Sequence, residues 1–81
     1  MVKVIFYNLL RSKYGISELF VNAGSIDEII NQILQQHQKM VLKDFESVVV
    51  FHNGISIHHK QFDRLISDKE EIIFTHFVGG G

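Results

Sequence analysis

The feature that most constrains the fold is one apolar stripe at helical spacing in the middle of the chain. Apolar residues recur three and four positions apart between positions 26 and 37, which places them on one face of a helix. Ser25 precedes the stripe and Glu28 follows three residues later, the capping box that is typical of a helix start. The pattern predicts a helix that begins at Ile26 and packs on a second layer. The stripe consists of Ile26, Ile29, Ile30, Ile33, Leu34 and His37, with His37 at its partly buried edge.

The segment before this helix has the period of β-strands. Residues 2–8 alternate in a run rich in β-branched and aromatic side chains, which predicts a first strand. Gly15 is a natural turn position, and residues 16–21, ISELFV, form a second short β-type run. We therefore expect an opening hairpin.

The segment after the helix also predicts strands. Residues 47–57, SVVVFHNGISI, hold two short runs on either side of Asn53 and Gly54, a pair typical of tight hairpin turns. Ile72–Val78 forms a last strand that runs directly into glycines. One helix laid on a mixed sheet is a two-layer α+β fold. Parallel pairing of the first strand with the last would leave the C-terminal residues clear of the core.

Length, charge and cysteine content exclude several classes of function. Eighty-one residues suffice for one domain with one modest core. The net charge is −1 and the basic residues are scattered, so the sequence has no basic cluster that would bind nucleic acid. No apolar run approaches the length of a membrane span. The chain has no cysteine, so disulfides and thiolate chemistry are excluded. The N-terminus does not have the pattern of a signal peptide, so we expect a cytoplasmic protein.

The sequence closes on three consecutive glycines, Gly79, Gly80 and Gly81. Glycine loses the most conformational freedom on ordering and has no side chain to pack, so residues 78–81 are expected to form a flexible tail. Glycine also has no Cβ, which suits a chain end that must enter a narrow channel. The tail is either a reactive end that bears the Gly81 carboxylate, or a frayed end or cloning remnant.

The chain resembles the ubiquitin-like sulfur carriers of the MoaD and ThiS type. The resemblance covers nearly the whole chain and rests on VKVIFYNLLRSKYG, the capped helix, VFHNGISI and the terminal VGGG. The segment Leu9 to Arg11 favours the small subunit of molybdopterin synthase, MoaD, since ThiS proteins are usually shorter there. The chain departs from this family in having no proline before the glycines.

This resemblance implies a fold and a function. The fold would be α+β of the β-grasp, ubiquitin-like type, with a mixed sheet of four to five strands and one crossing α-helix, in a single domain over residues 1–81. An ATP-dependent adenylating enzyme of the MoeB/ThiF type would activate the carboxylate of Gly81, which then becomes a thiocarboxylate. With a MoaE-like large subunit, the chain would donate sulfur in molybdenum or tungsten cofactor synthesis. The chain would be no complete enzyme and would hold no permanent cofactor.

Three alternatives remain open from the sequence. The same carrier chemistry serves thiamine synthesis or tRNA thiolation. A ubiquitin-like modifier would instead join the same carboxylate to lysines of other proteins. An interaction module with an idle tail would use neither chemistry.

Docking to a partner is predicted near the tail. Phe74, Phe77 and Val78 lie on the last predicted strand, and an exposed aromatic residue there suits an apolar docking patch. Phe74 and Phe77 suit the core equally well, as does Phe51. Arg11 and Lys13 are either solvated loop charges or contacts to acidic residues of a partner, and Arg11 is the candidate docking residue.

Histidines do not predict a metal site. His58 and His59 are adjacent, so on a strand they point to opposite faces, and His52 and His76 lack the spacing of metal ligands. All four are expected to be surface or hairpin residues.

Overall fold

The structure is a computed structural model and describes residues 1–76. Sequence predictions that concern Phe77, Val78 and Gly79 to Gly81 therefore lie outside the described residues. In chain order the described elements are β1 (Val2–Phe6), α1 (Leu9–Tyr14), β2 (Glu18–Val21), β3 (Gly24–Ser25), α2 (Ile26–Gln36), a 3-10 turn (Leu42–Phe45), β4 (Val49–His52), β5 (Ile55–Ile57), a second 3-10 turn (His59–Gln61), β6 (Leu65–Ile66) and β7 (Glu71–Thr75).

A mixed five-stranded sheet forms one layer of the fold. Its strand order is β2-β1-β7-β4-β5, and the short strands β3 and β6 pair separately. Strands β1 and β7 are parallel, the pairing that the sequence analysis considered without deriving it, whereas every other neighbouring pair in the sheet is antiparallel. With α2 as the main helix, this is the β-grasp fold, and the predicted fold class is confirmed.

The core lies between α2 and one face of the sheet. Burial alternates along β1 and β7, because successive side chains of a strand point to opposite faces. On α2, the apolar stripe is buried as its spacing predicts, while Leu34 is partly buried at the edge. Fully buried side chains from both layers include Val2, Val4, Phe6, Ile26, Ile29, Ile33, Ile72 and Phe74.

The two hairpin predictions had different outcomes. Asn53 and Gly54 both have positive φ, 54° and 75°, as a type I′ turn between β4 and β5 requires. Strands β1 and β2 pair as predicted, but they are joined by the helix α1, which the sequence analysis missed. Helix α1 buries Leu10 and ends at Gly15, whose left-handed conformation (φ 67°) lets its N–H donate to the Arg11 carbonyl.

The predicted start of α2 is confirmed in detail. The Glu28 N–H donates to Ser25 Oγ at 3.1 Å, and the Ser25 N–H donates to Glu28 Oε1 at 2.9 Å. Each hydrogen bond satisfies a backbone donor that has no partner within the helix.

Ser25→Ala should lower the free energy of unfolding by about 0.5 to 2 kcal/mol, because it removes the acceptor for the Glu28 N–H. Urea denaturation monitored by circular dichroism measures the loss. Ser47→Ala is the matched control, since Ser47 is exposed outside the regular elements. Equal midpoints for the two variants would contradict a stabilising cap.

Candidate functional site

The end of β7 is the structural feature from which the C-terminal residues continue. Strand β7 lies in the middle of the sheet, between the parallel β1 and the antiparallel β4. The Tyr7 N–H donates to the Phe74 carbonyl at 3.0 Å and extends this pairing past the end of β1. The sheet therefore holds both sides of β7 almost to the last described residue.

Asn8 holds the end of β7 from the side of β1. Its Nδ2 donates to Thr75 Oγ1 at 2.8 Å and to the His76 carbonyl at 2.9 Å. Asn8 adopts φ 61° and ψ −124°, a conformation that is unfavourable for a residue with a Cβ. The two hydrogen bonds offset this strain. Sequence reasoning missed Asn8, and its only local signal is an asparagine immediately after a strand, a residue tolerant of positive φ.

Asn8→Ala should lower the free energy of unfolding by about 1 to 3 kcal/mol, because it removes both hydrogen bonds and retains a Cβ at positive φ. Asn8→Gly loses the same hydrogen bonds without the strain, so its loss should be smaller. Thermal and urea denaturation of the pair separate the two contributions. A glycine variant that is no more stable than the alanine variant would argue against backbone strain at this position.

His76 holds the end of β7 through its side chain. Its side chain is buried, and its Nε2 donates to the Asp44 carbonyl at 3.0 Å, since a carbonyl can only accept. The prediction of a surface or hairpin histidine is therefore wrong at His76, which is buried and follows β7. His52 is a hairpin residue, as predicted, but it is not at the surface. It is buried between Glu70 and Arg64: Nε2 lies 2.9 Å from Glu70 Oε2, and Arg64 Nε donates to Nδ1 at 2.9 Å.

Asp44 connects the end of β7 to α1. Its carboxylate accepts hydrogen bonds from Tyr14 Oη at 2.5 Å, Lys13 Nζ at 3.1 Å and the Val41 N–H at 3.0 Å. Burial alone would raise the pKa of Asp44, but these hydrogen bonds outweigh it and hold the pKa below its usual value. The carboxylate is therefore ionised at neutral pH and ties α1 and the first 3-10 turn together beside His76.

The sheet face that points away from α2 carries an apolar surface near the end of β7. Ile5 pairs with Ile73 across β1 and β7, and Ile73 pairs with Phe51 across β7 and β4, so the three side chains form one row. Val49 lies in the next row, opposite Thr75 and closer to the end of β7. We call Ile5, Val49, Phe51 and Ile73 the open-face patch. All four are half-buried, although α2 does not cover this face.

The docking residues predicted from the sequence have different positions. Phe74 is completely buried, stacked on Phe6 at 5.9 Å and edge-to-face with Phe45 at 5.6 Å between ring centroids. Its assignment to an exposed docking patch is therefore wrong, and its alternative assignment to the core is correct. Arg11 is exposed on α1 and remains a predicted contact. Phe77, Val78, Gly79, Gly80 and Gly81 lie outside the described residues.

Two further observations concern residues 1–76. These residues contain no group of three or more histidine, aspartate or glutamate side chains placed to hold a metal ion. None of the helices in this range is long and apolar enough to cross a membrane.

Solved structures of other proteins share this fold. The solution structure of the small archaeal modifier protein 1 from Methanosarcina acetivorans matches with a TM-score of 0.77 and 23% sequence identity, over 99% of this chain and 95% of that one. The crystal structure of Urm1 from Sulfolobus solfataricus matches with a TM-score of 0.65 and 18% identity, over 91% and 97% of the two chains. No protein-family model and no curated protein matches the chain. The structural likeness shows the ubiquitin-like β-grasp fold.

Proposed function

We propose that the chain is a ubiquitin-like carrier whose reactive group is the carboxylate of Gly81. The observation that carries the proposal is the firmly held end of β7, anchored by Asn8 and Asp44, with the residues FVGGG after His76 in the sequence. Five extended residues reach at most about 17 Å, enough to enter the active site of another protein while the domain stays outside. The folded domain would dock on the surface of the other protein, and the glycines would bind in its active site.

The proposed chemistry begins with activation of the carboxylate. In an activating enzyme, a Gly81 carboxylate oxygen attacks the α-phosphorus of ATP and releases pyrophosphate, which gives an acyl-adenylate. Sulfur at the sulfide level, as hydrosulfide, then attacks the carbonyl carbon and displaces AMP, which leaves a thiocarboxylate without any change of oxidation state. The chain supplies the carboxylate and a backbone without side chains, so the enzyme can enclose both reactants and exclude water.

The proposed pathway is molybdenum or tungsten cofactor synthesis. A MoaE-like large subunit would be the enzyme that transfers the sulfur from this chain to its acceptor. Support comes from the resemblance in the segments that form α1 and the β4–β5 hairpin. Sulfur delivery to thiamine or tRNA would use the same Gly81 thiocarboxylate with a different acceptor enzyme.

A protein modifier is the second candidate function. It is favoured by the structural likeness to a protein that is named a modifier, the small archaeal modifier protein 1. A modifier would share the adenylation step, after which a lysine amine of the target attacks the activated carbonyl, displaces AMP and loses a proton to form an isopeptide bond. The two functions differ only in the final nucleophile.

Intact mass of the chain isolated from its native host tests the proposal. Exchange of one oxygen for one sulfur at the C-terminus would identify the carrier, and conjugates joined through Gly81 to lysine would identify the modifier. The same spectrum shows whether Gly81 is the last residue of the mature chain. Unmodified chain without conjugates, from cells with active cofactor synthesis, would contradict both functions.

We further propose that the activating enzyme docks on the open-face patch. Its apolar side chains come from three adjacent strands, and Val49 lies opposite Thr75, one residue before His76. Docking there would place the C-terminal residues beside the partner and offset the entropy lost when they become ordered.

Phe51→Ala should weaken binding of the activating enzyme by at least about 1 kcal/mol, roughly fivefold in Kd, if Phe51 is a hot spot. Isothermal titration calorimetry measures the affinity, and a thermal melt confirms folding. Ile55→Ala is the matched control, because Ile55 is exposed on β5 but lies outside the open-face patch. Equal affinities for folded Phe51→Ala and the parent chain would exclude Phe51 from the interface.

A further inference from the structure

A concave surface, separate from the open-face patch, lies on the helical side of the domain. It is a groove of about 340 Å³ between the first turns of α2 and the two 3-10 turns. Ile30, Phe45 and Phe62 form its floor, and their side chains are almost fully buried in the core. Because the open-face patch belongs to the opposite face of the sheet, the groove is a separate surface.

The polar groups around the groove include two carboxylates and the side-chain amide of Asn31, which both donates and accepts hydrogen bonds. Asp27 on α2 and Glu46 after the first 3-10 turn contribute carboxylates, and no lysine or arginine is among the described residues that line it. Within residues 1–76, neither carboxylate forms an ion pair. His59 Nε2 donates to the Val48 carbonyl at 2.9 Å, so the other ring nitrogen of a neutral His59 is an acceptor.

Leu42 gives the groove an apolar lip. Its side chain is 64% exposed, although its neighbour along the groove, Phe45, is buried. The groove thus combines an apolar floor, an apolar lip and two carboxylates. Lysine and arginine side chains match this combination, since each lays a hydrocarbon stem on apolar surface and carries a cation at its end.

The two carboxylates differ in whether they stabilise the helical segment to which they belong. Asp27 lies in the first turn of α2, where a negative charge stabilises the helix N-terminus. Glu46 follows the C-terminal end of the Leu42–Phe45 turn, where the helix dipole does not favour a negative charge. Glu46 is therefore the carboxylate whose position helix stability does not explain.

We propose that this groove binds a lysine- or arginine-bearing segment of a protein partner. The aliphatic stem of the basic side chain packs against Leu42 and Phe62, and its cation approaches the carboxylates of Glu46 and Asp27. A partner held here leaves the open-face patch and the C-terminal residues accessible. The chain therefore has two docking surfaces that two proteins can occupy together.

NMR titration of the full chain with the peptide acetyl-Ala-Lys-Leu-Lys-Ala-amide tests this proposal. We expect saturable amide shifts confined to the first turns of α2, residues 42–46 and residues 59–62. Glu46→Gln and Leu42→Ser should each raise Kd about two- to fivefold, the range of one exposed contact or ion pair. Glu71→Gln is the matched control, because Glu71 is exposed on β7 away from the groove. Raising the salt concentration should weaken binding.

Several outcomes would overturn the proposal. The corresponding glutamine peptide could bind equally well, or the lysine peptide could shift acidic residues on both sides of the sheet alike. Absence of any shift at millimolar peptide would also overturn it. Concentration-dependent shifts of the same amides without peptide would assign the groove to a second copy of the chain instead.

Discussion

Deletion of Gly81 should abolish adenylate formation by the activating enzyme and leave the thermal melt of the chain unchanged. Each residue advances an extended chain by about 3.3 Å, whereas a displacement of about 1 Å already costs around a hundredfold in rate. Gly81 has no side chain to pack, and the core described above is built from residues 2–74. We therefore expect loss of exchange without loss of stability. ATP–pyrophosphate exchange with the cognate activating enzyme measures the reaction.

Two further variants make this result specific to the position of the carboxylate. One alanine added after Gly81 moves the reactive carbon by one residue in the opposite direction and should also abolish exchange. Gly80→Val keeps the length but puts a branched side chain into the channel, so it should act similarly. Full exchange activity in the extended variant would show that Gly81 is not the reactive end, and the proposed function would fail.

Phe74→Ala should lower the free energy of unfolding by about 3 to 5 kcal/mol, a large part of the total stability of a domain this small. The Phe74 side chain has 0% exposure and contacts the rings of Phe6 and Phe45 in the middle of the core. Truncation removes both aromatic contacts and leaves a cavity that the surrounding strands can fill only in part. Urea denaturation measures the loss.

The neighbouring residue provides the matched control for this prediction. Ile73 lies on the same strand but points to the open face and is only half-buried. Ile73→Ala should therefore cost less stability than Phe74→Ala, and it should weaken partner binding instead. Equal losses of stability for the two variants would contradict the assignment of Phe74 to the core and Ile73 to the open face.

Local patterns predicted those parts of the fold that local contacts stabilise. The start of α2 depends on Ser25 and Glu28, which are three residues apart, and the β4–β5 turn depends on the adjacent Asn53 and Gly54. Helix α1 was missed because its six residues bury only Leu10, which leaves no apolar stripe to read.

Distant contacts decided the features that the sequence analysis did not predict correctly. His52 and His76 continue the inward-facing alternation of β4 and β7, and their buried ring nitrogens hydrogen-bond to distant partners, to Glu70 and Arg64 and to the Asp44 carbonyl. No periodicity reports such pairs. The facing of Phe74 did have a local signal: Glu71 and Thr75 are polar and share a face with Ile73, so the opposite face is the apolar one.

The parallel pairing of β1 with β7 determines when the chain can fold during its synthesis. These strands lie at opposite ends of the described chain, yet β7 occupies the centre of the sheet and separates β1 from β4. A growing chain that lacks β7 has two unpaired inner strand edges, so the sheet cannot close until residue 75 has been made. Non-local pairing of this kind slows folding and exposes strand edges to aggregation meanwhile. Formation of the complete sheet therefore depends on β7, which is synthesised immediately before the residues on which the proposed activity depends.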